Sequence, residues 1–196
     1  TKLNLSPYYL KPGFAFGGSC LPKEVRAVSH IAGELGVELP LVASLIPSNQ
    51  SHVAEAIAML RPFAGQRIGF LGVTFKPRTD DLRESPTLDV MAALLADGAS
   101  IKAYDGNLDF GPMLQGQIDY VRHAVPRQAQ LMDGLQAMCV ASAAELVEAS
   151  DVVVVSHATD EFRAAIEVRR PGVQVVDLVR LYRTLPDDAN YHGIAW

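Results

Sequence analysis

The chain has 196 residues, of which 49% are hydrophobic and 20% charged, with a formal net charge of −5; this is the composition of an ordinary globular protein and argues against nucleic acid as a partner. No apolar run approaches a bilayer span, and the opening residues carry no secretory h-region, so neither a membrane role nor export is expected. Two cysteines, Cys20 and Cys139, make neither a disulfide framework nor a zinc pattern, and the five histidines lack ligand spacing, so a reducing, cytoplasmic setting without a metal is expected.

The chain opens without Met in what reads as mid-domain sequence, and a fragment of a longer protein is expected. The first 83 residues carry nine Lys/Arg against six Asp/Glu, and the remainder eight against sixteen. Cations for an anionic small ligand are therefore expected from the first part, with chance surface variation as the competing reading.

Residues 1–19 read as a loop punctuated by Pro7, Pro12, Gly13, Gly17 and Gly18. From Leu21 to about Leu35 the apolar positions Val25, Val28, Ile31, Ala32 and Leu35 recur at helical spacing, with Pro22 in the first turn and Gly36 as a stop. A second helix is predicted from Leu41 to Leu60, kinked or split by Pro47. The character then changes. Arg67 to Val73 is strand-like, Ser85-Pro86 opens a helix closed by Asp97-Gly98, and Ile101 to Tyr104 is a second strand, which makes a parallel β-α-β unit. Residues 106–138 are ambiguous.

Ser142 to Glu145 is a capping box, Asp151 to Val155 reads as a strand buried on both faces, and a short helix near Asp160 to Glu167 precedes a last strand, Val173 to Val176. The expected fold is α/β: a central helical segment, 1–63, followed by a Rossmann-like, doubly wound, mainly parallel sheet domain, 64–196. The first strand leads into Gly69-Phe-Leu-Gly72-Val-Thr, which is not Gly-x-Gly-x-x-Gly, and that fingerprint occurs nowhere in the chain. Asp105, at the end of the second strand, stands where a ribose-binding acid often lies; without the glycines a turn aspartate is the stronger reading.

The segment from Gly13 to Glu24 concentrates the chemistry: a glycine loop, a lone cysteine and a helix start. A helix N-terminus and Lys23 favour the thiolate of Cys20 and should lower its pKa from the free value of ~8.5. Gly17 and Gly18 let a ligand or another backbone approach closely. The alternative is a capping loop around an inert, buried thiol. Cys139, flanked by apolar residues, is expected to be inert core, and His157, just past a strand, a satisfied edge histidine.

The wording "KPGFAFGGSCLPKE" resembles the active-site segment of the UDP-glucose/GDP-mannose dehydrogenase family, and "YYLKPGFAFGGSCLPKEVRA" is most like its GDP-mannose-oxidising branch. A second block, Gly69 to Val90, resembles that family's Gly-x-x-Phe-Lys…Thr-x-Asp-x-Arg-x-Ser-Pro motif, and the similarity runs on through the whole chain. The resemblance implies a four-electron oxidation of a sugar C6 alcohol by two NAD+, through a thiohemiacetal and a thioester on Cys20. It implies Glu24 as the assisting carboxylate, where the family has Asp. It also implies Tyr8, Tyr9, Lys11, Phe14, Gly17 and Lys76 as substrate contacts, and Lys23 and Arg83 as NAD contacts. Lys11 stands where Arg is usual, which keeps the charge and loses the bidentate fork. Tyr8 and Phe14 have packing as an alternative role, and Lys76 and Arg83 that of solvated loop charges; Thr79, Asp80 and Asp81 are expected to shape the loop. The partners implied are a nucleotide sugar, GDP-mannose ahead of a UDP-sugar, and a second copy in a homodimer. A non-catalytic nucleotide-sugar-binding or dimerisation module is the reading from another class.

Overall fold

The computed structural model describes residues 14–194. Two helices come first, α1 (Leu21–Glu34) and α2 (Pro40–Leu60). α1 begins at Pro22 in its first turn, where the missing N–H costs nothing, and ends before Gly36, whose φ of 64° suits a helix stop. α2 is one continuous helix across Pro47, so the expected split does not occur. Ala43, whose carbonyl loses its N–H partner to the proline, is exposed, and water can take that bond.

The sheet region follows as β1 (Arg67–Leu71), α3 (Pro86–Ala96), β2 (Ser100–Tyr104), α4 (Pro112–Ala124), α5 (Ala129–Met138), α6 (Ala143–Ala149), β3 (Val152–Val155), α7 (Asp160–Glu167), β4 (Gln174–Asp177) and β5 (Tyr191–Gly193). The five strands lie in the order β2-β1-β3-β4-β5, and every pairing is parallel. The fold is therefore the Rossmann-like, doubly wound class. The ambiguous stretch is α4 and α5; β5 was not anticipated.

Alternation along the strands builds two cores. Ile68 and Phe70 of β1 and Val152 and Val154 of β3 face α3, α4 and α5, whereas Leu71, Val153 and Val155 face α6 and α7. All four valines of β3 are fully buried, each contributing about 1.5–3 kcal/mol of apolar burial. That is why this strand shows no alternation in sequence. Ala56 and Leu60 of α2 are fully buried in the α3–α5 core, so the helical segment is anchored on the sheet region by its last turns.

Ser142 caps α6, the Glu145 N–H donating to Ser142 Oγ, while the Glu145 carboxylate accepts from the Ala141 N–H, one residue ahead of the partner a full capping box would use. Ser85 does precede α3, but its hydroxyl does not cap it. That hydroxyl is buried and donates to the Val73 carbonyl at 2.7 Å, tying the end of the β1–α3 connection back to its start.

Candidate active site

β1 sends its chain to β2 on one side while β3 lies on the other, so the topological switch point falls between β1 and β3. In open parallel sheets ligands bind in the crevice outside the carboxyl ends at such a point. Here three strand ends converge on one loop. Asp105, following β2, accepts from the Val73 and Thr74 N–H groups at 2.9 and 3.1 Å and from Thr74 Oγ1 at 3.0 Å. His157, following β3, places Nε2 2.9 Å from the Thr74 carbonyl. Asp105 thus serves the loop, as the turn reading expected, and His157 is a satisfied, buried edge histidine.

Burial opposes charge on Asp105, but hydrogen bonds from Val73, Asn107 and Thr74 together outweigh it and hold the carboxyl below its usual range. For His157 burial dominates over the attraction of Asp105 and pushes its pKa below 6.5. A histidine depressed in the fold binds its proton more readily when unfolded, so it stabilises fully above the unfolded pKa. Stability is therefore expected to fall as pH drops from about 6.5 towards the folded pKa. Melting temperatures measured across that window check this; a slope that survives in His157→Asn assigns the effect to another group.

The cysteine loop rests on the β1–α3 connection. Gly18, at φ 85°, lies against the Phe75 ring, where an added Cβ would come within 2.7 Å. A Cβ on Gly17 would meet the Glu84 carbonyl oxygen at 2.1 Å. Both glycines are thus required by the approach of another backbone and side chain, and Gly17 has only its backbone to offer a ligand. Glu84 itself sits at φ 49°, and its carboxylate receives a bidentate fork from Arg26 of α1.

Cys20 occupies the position before α1; its thiol is exposed and does not cap the helix. Ser19 Oγ lies 3.8 Å from the sulfur. Lys23 and Glu24, in the first turn, pair with each other at 3.0 Å on the open surface. That hydrogen bond and the charge of Glu24 raise the pKa of Lys23. Arg83 forks onto Asp81 at 2.9 Å through both nitrogens, and Lys76 Nζ stands 5.1 Å over the Phe75 ring. The Asp81 N–H donates to Thr79 Oγ1, so Thr79 and Asp81 do shape this loop. Phe14 is buried in the α3–α5 core, which is its packing role. Tyr8, Tyr9 and Lys11 lie outside the described residues.

Cys139 is half-buried, with its thiol pushed up to about 11 chiefly by desolvation, as an inert thiol requires. A groove of about 740 Å³ is lined by Phe16, Arg26, Asn49, Val53, Glu84 and Tyr120 among others, and Cys20 is not in its wall. Among the described residues no group of His, Cys, Asp and Glu is arranged to hold a metal, and no helix is long and apolar enough to cross a membrane. Sequence reasoning missed Asn49, Arg26 and Glu84 as residues that hold the cysteine loop; their only local signal is polarity on helix or loop surfaces.

The β1–α3 turn does not fit a dinucleotide. Gly72, at φ 95°, is backed by the His157 ring, within 2.6 Å of an added Cβ, and Asp105 is saturated by the loop instead of facing a ribose.

The sequence matches the UDP-glucose/GDP-mannose dehydrogenase family, UDP binding domain, over residues 69–184, and the central domain of the same family over residues 1–51. GDP-mannose 6-dehydrogenase of Pseudomonas syringae pv. syringae is 36% identical over 195 residues, covering 99% of this chain. The crystal structure of a ternary complex of GDP-mannose dehydrogenase from Pseudomonas aeruginosa superposes with a TM-score of 0.82 at 34% identity, over 100% of this chain and 43% of that one. A UDP-glucose dehydrogenase from Pyrobaculum islandicum gives 0.68 at 26% identity, over 94% and 39%. The chain spans 43% of the length of the curated Pseudomonas syringae relative.

Proposed function

The chain belongs to the UDP-glucose/GDP-mannose dehydrogenase family, and from that premise we propose that it supplies the substrate-binding and covalent-catalysis parts of a nucleotide-sugar 6-dehydrogenase acting on GDP-mannose. The observation that carries the proposal is an exposed thiol at the mouth of α1, on a loop seated against the carboxyl edge of a doubly wound sheet. The division into a helical part, 1–63, and a sheet part, 64–196, belongs to the same proposal and is supported by the change from helices to strands at Arg67.

In this reading Cys20 attacks the C6 aldehyde of the bound sugar, its sulfur forming a C–S bond while the carbonyl oxygen takes a proton. The resulting thiohemiacetal keeps a reactive aldehyde attached, which is the physical advantage of a nucleophile over simple binding. Glu24, in the first turn of α1, is the carboxylate proposed to assist proton movement. Reaching the thiol or a water would require it to leave Lys23, an exposed pair worth little. NAD+, for which this sheet offers no cradle, supplies the hydride acceptor; Lys23 and Arg83 are proposed as its contacts here. Lys76, Gly17, Phe14, Tyr8, Tyr9 and Lys11 are the proposed substrate contacts. Phe14 is buried, so its part is to back the site, and the exposed Lys76 is the cation proposed to meet a phosphate. UDP-glucose is the alternative substrate, on the likeness to enzymes named for it.

A homodimer is part of the proposal. Val28, Ile31 and Leu35 of the α1 region and Leu41 of α2 are 43–77% exposed, an apolar face on helices whose inner sides are already packed. Calorimetric titration of the chain with GDP-mannose, UDP-glucose and NAD tests the whole reading, with light scattering of the same samples giving the assembly. GDP-mannose is expected to bind more tightly than UDP-glucose, with NAD weakest. Equal, negligible heats for both nucleotide sugars would reject a substrate role, leaving only a dimerisation module.

A further inference from the structure

Asn49 stands in the middle of α2, 33 residues from Phe16, and grips that residue by both of its backbone groups. The Phe16 N–H donates to Asn49 Oδ1 at 2.8 Å, and Asn49 Nδ2 donates to the Phe16 carbonyl at 2.8 Å. A primary carboxamide paired in this way acts as a one-residue strand partner, fixing the plane and heading of the chain where it enters Gly17-Gly18-Ser19-Cys20. Each glycine adds backbone freedom, so without an anchor immediately upstream the loop could not hold one course to the cysteine. Asn is also about 0.5 kcal/mol poorer than Ala in a helix interior, and α2 itself has no use for it at this half-buried position.

We propose that Asn49 is a positioning residue: it sets the course of the loop that presents the Cys20 thiol, acting through Phe16 and without touching the sulfur. This deepens the proposed function, since it rests on Cys20 being the working nucleophile. The chemistry is specific to Asn. Asp at this place would keep an acceptor for the Phe16 N–H but set a carboxylate against the Phe16 carbonyl. Gln carries the same two groups one methylene further out.

The test is alkylation of Cys20 by iodoacetamide at fixed pH in the 196-residue chain, resolved by mass spectrometry from Cys139, which reports on the fold. A peptide of residues 14–24 serves as the unheld loop. The wild-type rate is expected to differ from the peptide's by roughly threefold or more, because thiol reactivity follows its local setting. Asn49→Ala and Asn49→Asp are expected to move to the peptide's rate, Asn49→Gln to recover part of the difference, and Cys139 to stay unchanged in all of them. Wild-type rates in Asn49→Ala or Asn49→Asp, or a wild type equal to the peptide, would overturn the proposal. So would Cys139 becoming reactive together with Cys20, which would make Asn49 a general structural residue. GDP-mannose added to the wild type slows alkylation of Cys20 if the substrate reading holds. If it does not slow it, that reading fails, and the clamp is still judged by the comparison of variants.

Discussion

Asp105→Ala is expected to lower the stability of the fold by about 3–5 kcal/mol, since each buried donor left without a partner costs about 1–3 kcal/mol. The buried Val73 and Thr74 N–H groups both turn to Asp105 Oδ2, the Thr74 hydroxyl lies 3.0 Å from that oxygen and from the Lys76 carbonyl alike, and Asn107 takes the other carboxylate oxygen through its N–H and its side-chain amide. Among the described residues those two backbone N–H groups have no other acceptor, and a methyl group leaves them facing a void. The effect should reach the loop that carries Cys20 as well, because the freed segment carries Phe75, the ring against which Gly18 packs. Asp105→Asn keeps an oxygen for part of the set and should cost less. The charge matters too. Its pKa is depressed in the fold, so its stabilisation is complete above the unfolded value of 3.8 and is lost as pH falls through the folded one. Urea unfolding of the two variants near neutral pH is the measurement. A loss of less than about 1 kcal/mol for Asp105→Ala would show that water replaces the carboxylate and that the clamp is dispensable.

Cys20→Ser is expected to reduce acid formation from GDP-mannose by roughly 10³-fold or more, when the chain is joined to a dinucleotide-binding domain that supplies NAD. A serine hydroxyl in place of the thiol is a far weaker nucleophile unless a base takes its proton, and among the described residues the proposed carboxylate, Glu24, is held by Lys23. Ser19 is the polar side chain recorded against the sulfur, and Glu24 is paired with Lys23. Cys139→Ser should leave the rate unchanged, since that thiol, pushed up to about 11 and half-buried beside β2, takes no part in the site. NADH appearance followed at 340 nm in the three proteins separates the outcomes. Turnover of the serine variant within about tenfold of wild type would remove the nucleophile's role from Cys20.

Much of this molecule was legible in its residues because the deciding interactions are local. Pro22 and Gly36 bound α1, the Ser142 cap opens α6, and the β-branched run of β3 needs only its own pattern to announce a strand buried on both faces. The placement of Cys20 before a helix follows in the same way, from proline and apolar periodicity a few residues on. Where local signals conflict, the reading stopped. α4 and α5 carry Gly116 and Gly134 in their interiors with Pro126 between them, and only burial of Leu114, Ile118, Leu131 and Leu135 against the sheet outweighs those weak propensities. The three-residue β5 is too short for any period, and it exists because β4 offers it a parallel edge.

The sequence by itself determined the fold class, the family likeness and the place of Cys20 ahead of a helix. Tertiary structure alone decided what holds that thiol in place. Phe16 with Asn49, Gly17 with Glu84, Val73 with Asp105 and Thr74 with His157 are pairs 32 to 83 residues apart, and none has a local partner that would reveal it. The reason is physical. A helix or strand is written in the spacing of neighbouring side chains, whereas a hydrogen bond across the sheet edge depends on where the packed cores bring two distant backbones together.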